Sequence, residues 1–117
     1  MFEALVQQES SGRPGVVGPP TRYGRALGMT QMLPATARQM AQRLGLPYRE
    51  ELLRGTSREA QQYQRALGRA YLEEAFRETG NWRDALMYYH GGPDRRLWGP
   101  KTRQHAERIL SRVGRGS

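Results

Sequence analysis

The chain has 117 residues, 37% hydrophobic and 26% charged, which suits one domain with a real core and leaves no room for a second folded unit. The absence of cysteine excludes a disulfide framework, a thiolate zinc site and a cysteine nucleophile, and no apolar run approaches the roughly 20 residues of a membrane span. Nineteen basic residues, all arginine except Lys101, face 11 acidic ones for a net charge of +8, which favours anionic partners; the even spread of these charges also fits an ordinary solvated surface.

The opening stretch MFEALVQQES has neither a basic leader nor a long apolar run, so no signal peptide is expected. Phe2, Leu5 and Val6 recur at helical spacing and predict a short helix over Phe2–Ser10. Gly12, Pro14, Gly15, Gly18, Pro19, Pro20 and Gly24 then break the chain, so residues 12–27 are expected to be a loop. Loops of that length in a small domain are usually functional or disordered.

Pro34 suits a first helical position, and the helix it opens is expected to end at Leu44, before Gly45 and Pro47. Thr56 with Glu59 fits a capping box. The long helix behind it should reach about Glu78, with Tyr63, Leu67, Ala70, Tyr71 and Ala75 on one stripe. Asn81 can cap the next helix, which runs from Trp82 to about Tyr89 and stops at Gly91-Gly92-Pro93. A second loop over residues 91–99 carries Trp98. Pro100 then starts the last helix, with Ala106, Ile109, Leu110 and Val113 inward. No segment alternates apolar and polar residues, so no strand is expected. The fold class is all-α, a compact domain of about five helices.

Among the carboxylates Glu9 stands apart. It lies four residues after Leu5 and three after Val6, on the apolar face of the first helix and in its last turn. Burial and the negative end of the helix dipole both disfavour ionisation, the condition a general acid needs. The same placement also describes a partly exposed structural acceptor. Glu50, Glu51, Glu73 and Glu107 fall beside polar neighbours, while Glu74 sits at the edge of the Leu67 and Tyr71 stripe. His90 and His105 match no metal-ligand spacing, so no metal and no cofactor are expected. No nucleophile elbow surrounds a serine, and residues 12–27 lack both the Walker lysine and the dinucleotide fingerprint. Tyr23, Tyr88, Tyr89, His90 and Trp98 are aromatics in or beside the loops. Trp82, Tyr88 and Trp98 read as core, whereas Tyr89, next to a glycine turn, is expected to be open to a ligand.

Five pieces in order resemble the soluble lytic transglycosylase domain of the goose-type lysozyme-like superfamily. Q-Q-E-S-S-G resembles the family's E-S motif, and G-M-T-Q-M-L-P-A-T-A, Gly28 to Ala37, its G-L-M-Q-x-M-P-x-T-A signature. G-R-A-Y-L, Gly68 to Leu72, is similar to G-x-x-Y-L of the central helix. A-L-M-Y-Y-H-G-G-P, Ala85 to Pro93, is similar to A-x-A-Y-N-A-G-P, and Lys101 to Leu110 resembles the terminal helix.

The resemblance implies a lysozyme-like fold and cleavage of the β-1,4 linkage between N-acetylmuramic acid and N-acetylglucosamine in peptidoglycan. Glu9 would act as general acid and then as base, leaving an anhydro-muramoyl end without water. Gln31 and Tyr89 would line the glycan cleft, Met29 and Leu33 would shape the acetamido pocket, and Ser10 would support the site, with His90 beside them. Against the family pattern, Thr30 stands for methionine, His90 for asparagine, Lys101 for glutamate and His105 for tyrosine, and Thr21 answers to the loop serine by position only.

The expected partner is the glycan strand of peptidoglycan, with no nucleic acid, no membrane span and a monomeric state. The expected place of action is the bacterial cell wall in the periplasm, and Y-Y-H-G-G-P resembles versions carried in bacteriophage virions. Met1 lies eight residues before Glu9, so the chain is either a segment of a longer protein or an unusually short one. The alternatives are a hydrolytic muramidase of the same fold and a non-catalytic basic helical module that binds nucleic acid or a wall polymer.

Overall fold

The computed structural model describes residues 1–115. Its elements in chain order are α1 (Phe2–Ser10), β1 (Val17–Thr21), β2 (Gly24–Leu27), α2 (Pro34–Arg43), α3 (Glu50–Leu53), α4 (Arg58–Thr79), α5 (Trp82–Gly91), a 3₁₀ turn (Arg95–Leu97) and α6 (Pro100–Arg115). Among the described residues the fold is mostly helical, as expected. They gather into two compact units, one formed by residues 9–70 and the other by residues 1–8 together with residues from Tyr71 onward. No described helix is long and apolar enough to cross a membrane.

The expectation of a fold without strands is corrected at residues 17–27, where β1 and β2 pair antiparallel with Val17 opposite Leu27, Pro20 opposite Arg25 and Thr21 opposite Gly24. The pairing is irregular between Val17 and Pro20. With only two strands every strand is an edge, where proline is tolerated because its missing N–H need not reach a neighbour. The Thr21 hydroxyl closes the turn, donating to the Gly24 carbonyl at 2.5 Å and accepting from the Tyr23 N–H at 3.1 Å.

Within residues 9–70, α2 packs on β2. Leu27, Met40, Leu53 and Leu67 are almost fully buried. Each such side chain contributes about 1.5–3 kcal/mol when taken from water. The short helix α3 was not expected; it buries Leu52 and Leu53, and the Tyr63 hydroxyl just beyond donates to the Pro47 carbonyl at 2.8 Å. The cap of α4 falls one residue later than the sequence indicates: Ser57 Oγ, not Thr56, accepts from the Ala60 N–H at 3.1 Å.

In the other unit α5 packs against α6. Asn81 caps α5 as expected, its side chain accepting from the Asp84 N–H at 2.9 Å. Ala106 and Ile109 of α6 are buried, but Val113, expected inward, is 39% exposed. Trp82 is also exposed and lies against Phe76, with ring centroids 4.3 Å apart. Arg112 Nε donates to Gln8 Oε1 at 3.1 Å and so ties α6 to α1.

Candidate active site

Glu9 is half-buried in the last turn of α1, and Ser10 behind it is only 3% exposed. The Ser10 hydroxyl donates to the Met29 carbonyl at 2.8 Å. Ser11 follows with φ 57°, a left-handed residue that turns the chain sharply at the end of the helix. Glu9 therefore stands next to a residue anchored to a different segment of the chain.

That segment is a tight loop over residues 28–31. Leu27 and Met32 exchange backbone hydrogen bonds at 2.9 and 3.0 Å across its base, and the Gly28 N–H donates to the Val16 carbonyl at 2.8 Å. Gly28 has φ 82°, and a Cβ there would lie 2.9 Å from Cγ of Gln64, so both its conformation and its surroundings require glycine. Met29 is 5% exposed and Thr30 1%, so both side chains are core. Thr30 Oγ1 reaches the Gln64 carbonyl at 3.4 Å.

Gln31 lies at the mouth of the loop, half-buried, with φ 52°. Its Nε2 donates to the Val16 and Gly28 carbonyls, both at 3.0 Å. Both amide protons are thus committed to backbone, which leaves Oε1 as its side-chain group for a ligand. Leu33 is half-buried and supplies the N-cap position of α2 without a side-chain cap, its carbonyl accepting from the Ala37 N–H at 2.9 Å.

Gln64 is the polar residue that sequence reasoning missed. It is buried in α4, with Oε1 accepting from the Met29 and Gly15 N–H groups at 2.8 and 3.2 Å. Its Nε2 donates to the Leu52 and Gly55 carbonyls at 2.8 and 2.9 Å. Its position held a signal: Gln64 lies four residues after Ala60 and three before Leu67, on the buried stripe. Loop 28–31 is therefore held from one side by the end of α1 and from the other by α4.

The remaining predicted residues, Tyr89 and His90, belong to the unit built on α5 and α6. Tyr89 was expected to be open to a ligand and is instead 7% exposed, because its ring packs 5.0 Å from Tyr71. Tyr88 lies 5.9 Å from Tyr71, and its hydroxyl donates to Glu74 Oε2 at 3.4 Å. Burial first, and the nearby Tyr88 second, push the Tyr71 phenol up to about 12. Glu74, at 7% exposure, is a buried carboxyl group, whereas Glu9 is half-buried.

His90 stacks on His105 with centroids 4.4 Å apart, and its Nδ1 lies 3.1 Å from Thr102 Oγ1. Partial burial, then the neighbouring His105, bring His90 down to about 4. The following turn is pinned by Trp98, whose Nε1 donates to the Gly92 carbonyl at 2.8 Å. A Cβ on Gly91 would meet Trp98 Cδ1 at 2.8 Å, so the glycine there makes room for the indole. Among the described residues no group of three or more His, Cys, Asp or Glu side chains is placed to hold a metal ion.

The first helix ends in a half-buried glutamate, and a buried serine ties that helix end to a tight loop. The Transglycosylase SLT domain family matches residues 1–110, and the chain belongs to that family. It is also similar to a protein described as "Transglycosylase" from Enterobacteria phage PRD1, with 29% identity over 113 residues, covering 97% of this chain and 36% of the phage protein. The chain thus spans about a third of that relative's length.

Proposed function

We propose that the chain is a peptidoglycan lytic transglycosylase in which Glu9 is the general acid and then the general base. The observation that carries this reading is the placement of Glu9: it is half-buried, in the last turn of α1, next to a serine anchored to the loop of the family's second motif. In the first step the protonated Glu9 carboxyl gives its proton to the bridging oxygen, and the bond from that oxygen to C1 of N-acetylmuramic acid breaks. In the second the Glu9 carboxylate takes the proton of the muramoyl 6-hydroxyl, whose oxygen bonds to C1 and closes the anhydro ring. Glu9 ends the cycle protonated, and no water is consumed. Two-carboxylate glycosidases divide these duties between two side chains.

Gln31 and Leu33 are proposed as contacts to the glycan on the side of Glu9, with Gln31 acting through Oε1, and the buried Met29 as backing that shapes the acetamido pocket from beneath. Tyr89 and His90 enter the proposal through the resemblance of their motif, and Tyr89, being buried, would present an edge or its hydroxyl. The relative described as a transglycosylase comes from a phage, which fits a proposed role for this domain in opening the bacterial wall from a virion.

The test is Glu9→Gln on purified cell wall, with the products read by mass spectrometry. A loss of about 100-fold or more is expected, since the amide cannot carry the proton. Solubilisation at the parent's rate by Glu9→Gln would overturn the assignment. Anhydro ends support transglycosylation, and reducing ends would make the chain a hydrolytic muramidase instead.

A further inference from the structure

Gln64 is 1% exposed, and both ends of its amide are in use. Oε1 receives two N–H groups, from Met29 at 2.8 Å and Gly15 at 3.2 Å. Nε2 gives its two protons to the carbonyls of Leu52 at 2.8 Å and Gly55 at 2.9 Å. Rotating the amide by half a turn would set N–H against N–H and oxygen against oxygen, so the network itself fixes its orientation. A fully satisfied buried network of this kind rigidifies what it joins.

What it joins bears on the end of α1. The Gln64 amide holds the Met29 N–H, the Met29 carbonyl accepts from Ser10 Oγ at 2.8 Å, and Ser10 is the neighbour of Glu9. The same amide anchors Gly15, in the strand of chain that leaves α1 toward the hairpin. One side chain therefore restrains the segment leaving Glu9 and the loop to which that helix end is tied. An apolar residue of similar volume would fill the space but take a hydrogen-bond partner from all four backbone groups.

We infer that, given Glu9 as the acid, Gln64 is a positioning residue for it, acting through the relay Gln64–Met29–Ser10. It touches no substrate. It sets the direction of the last turn of α1, and with it the reach of the Glu9 carboxyl to the glycosidic oxygen. A displacement of 1 Å at such a group is enough to lower a rate by about 100-fold.

The experiment compares the parent, Glu9→Gln, Ser10→Ala, Gln64→Glu and the double variant Ser10→Ala/Gln64→Glu on soluble uncrosslinked glycan strands, well below each variant's melting temperature. Gln64→Glu keeps the length and Oε1 but turns the two donated protons into an acceptor facing two carbonyls. The expected result is kcat reduced about tenfold or more in both single variants, with KM within about twofold of the parent. The double variant should lose less than the product of the two single losses, because both act through Met29.

A folded Gln64→Glu with the parent's kcat, a loss that only tracks its unfolded fraction, or losses that multiply in the double variant would each overturn the relay. If Gln64→Glu does not fold, Ser10→Ala decides alone: an unchanged kcat overturns it. The parent and Glu9→Gln separate this outcome from failure of the acid assignment, because equal activity in those two removes Glu9 whatever Gln64 does.

Discussion

Gly68 of α4 lies directly against Thr30: a Cβ at Gly68 would stand 2.4 Å from Cγ2 and 2.6 Å from both Cβ and Oγ1 of the threonine. This close approach lets the loop 28–31 pack on the helix, and it gives the glycine of G-R-A-Y-L a steric reason. Thr30, where the family usually has methionine, is 1% exposed and fills the space next to that bare backbone.

Gly68→Ala should therefore destabilise. On helix propensity alone the change would stabilise α4 by about 0.5–1 kcal/mol. Overpacking against Thr30 reverses the sign, with an expected net loss of about 1–3 kcal/mol in urea unfolding. A variant with a raised melting temperature would show that the loop can move away without cost.

Stability should fall with acid through His90. Its folded-state value of about 4 lies below its ordinary 6.5, because partial burial and the stacked His105 disfavour the charged ring. The folded state thus prefers neutral His90, and the contribution is fully present above pH 6.5. It is lost progressively as the pH falls from 6.5 toward 4, where the unfolded chain takes the proton first. In melting temperatures recorded across that window, His90→Asn should decline less steeply than the parent. Parallel curves would mean that the histidine pair carries no pH dependence.

Ionic strength should separate two substrates. Arg49, Arg54, Arg83, Arg95 and Arg96 are each joined to an acidic side chain, yet the net charge of +8 leaves a clear surplus of exposed arginine. Long-range attraction of that surplus to an anionic wall is screened within about 10 Å at 0.1 M salt. Added salt is expected to slow wall degradation more than cleavage of a short neutral chito-oligosaccharide. Equal slowing on both would remove the role assigned here to the arginines.

Much of the helical framework was legible in the sequence because its signals are local. Pro34 and Asn81 mark the starts of α2 and α5, and the run from Phe2 to Ser10 coincides with α1. Glu9 was singled out by its place on an apolar face and by the residues after it. The hairpin was not legible, since Gly18, Pro19 and Pro20 erase the alternation by which a strand is recognised, and four-residue α3 is too short to show a period. Tyr89 misled for a related reason: a glycine turn marks the chain as bending there but does not say which way the preceding ring points. Its contact with Tyr71, 18 residues earlier in the chain, buries it.

The order of amino acids by itself determined roughly where the longer helices lie, which carboxyl group stands at the end of the first one, and the surplus of positive charge, since each depends on neighbours within a few residues. Only the tertiary structure decided that Ser10 grips Met29, that Gln64 spends its whole amide on four separate backbone groups, and that Gln31 turns its protons inward. Those outcomes join residues 19 to 49 positions apart in three of the contacts. A polar side chain looks alike on paper whether it faces water or a buried carbonyl, and only the folded chain supplies the partner.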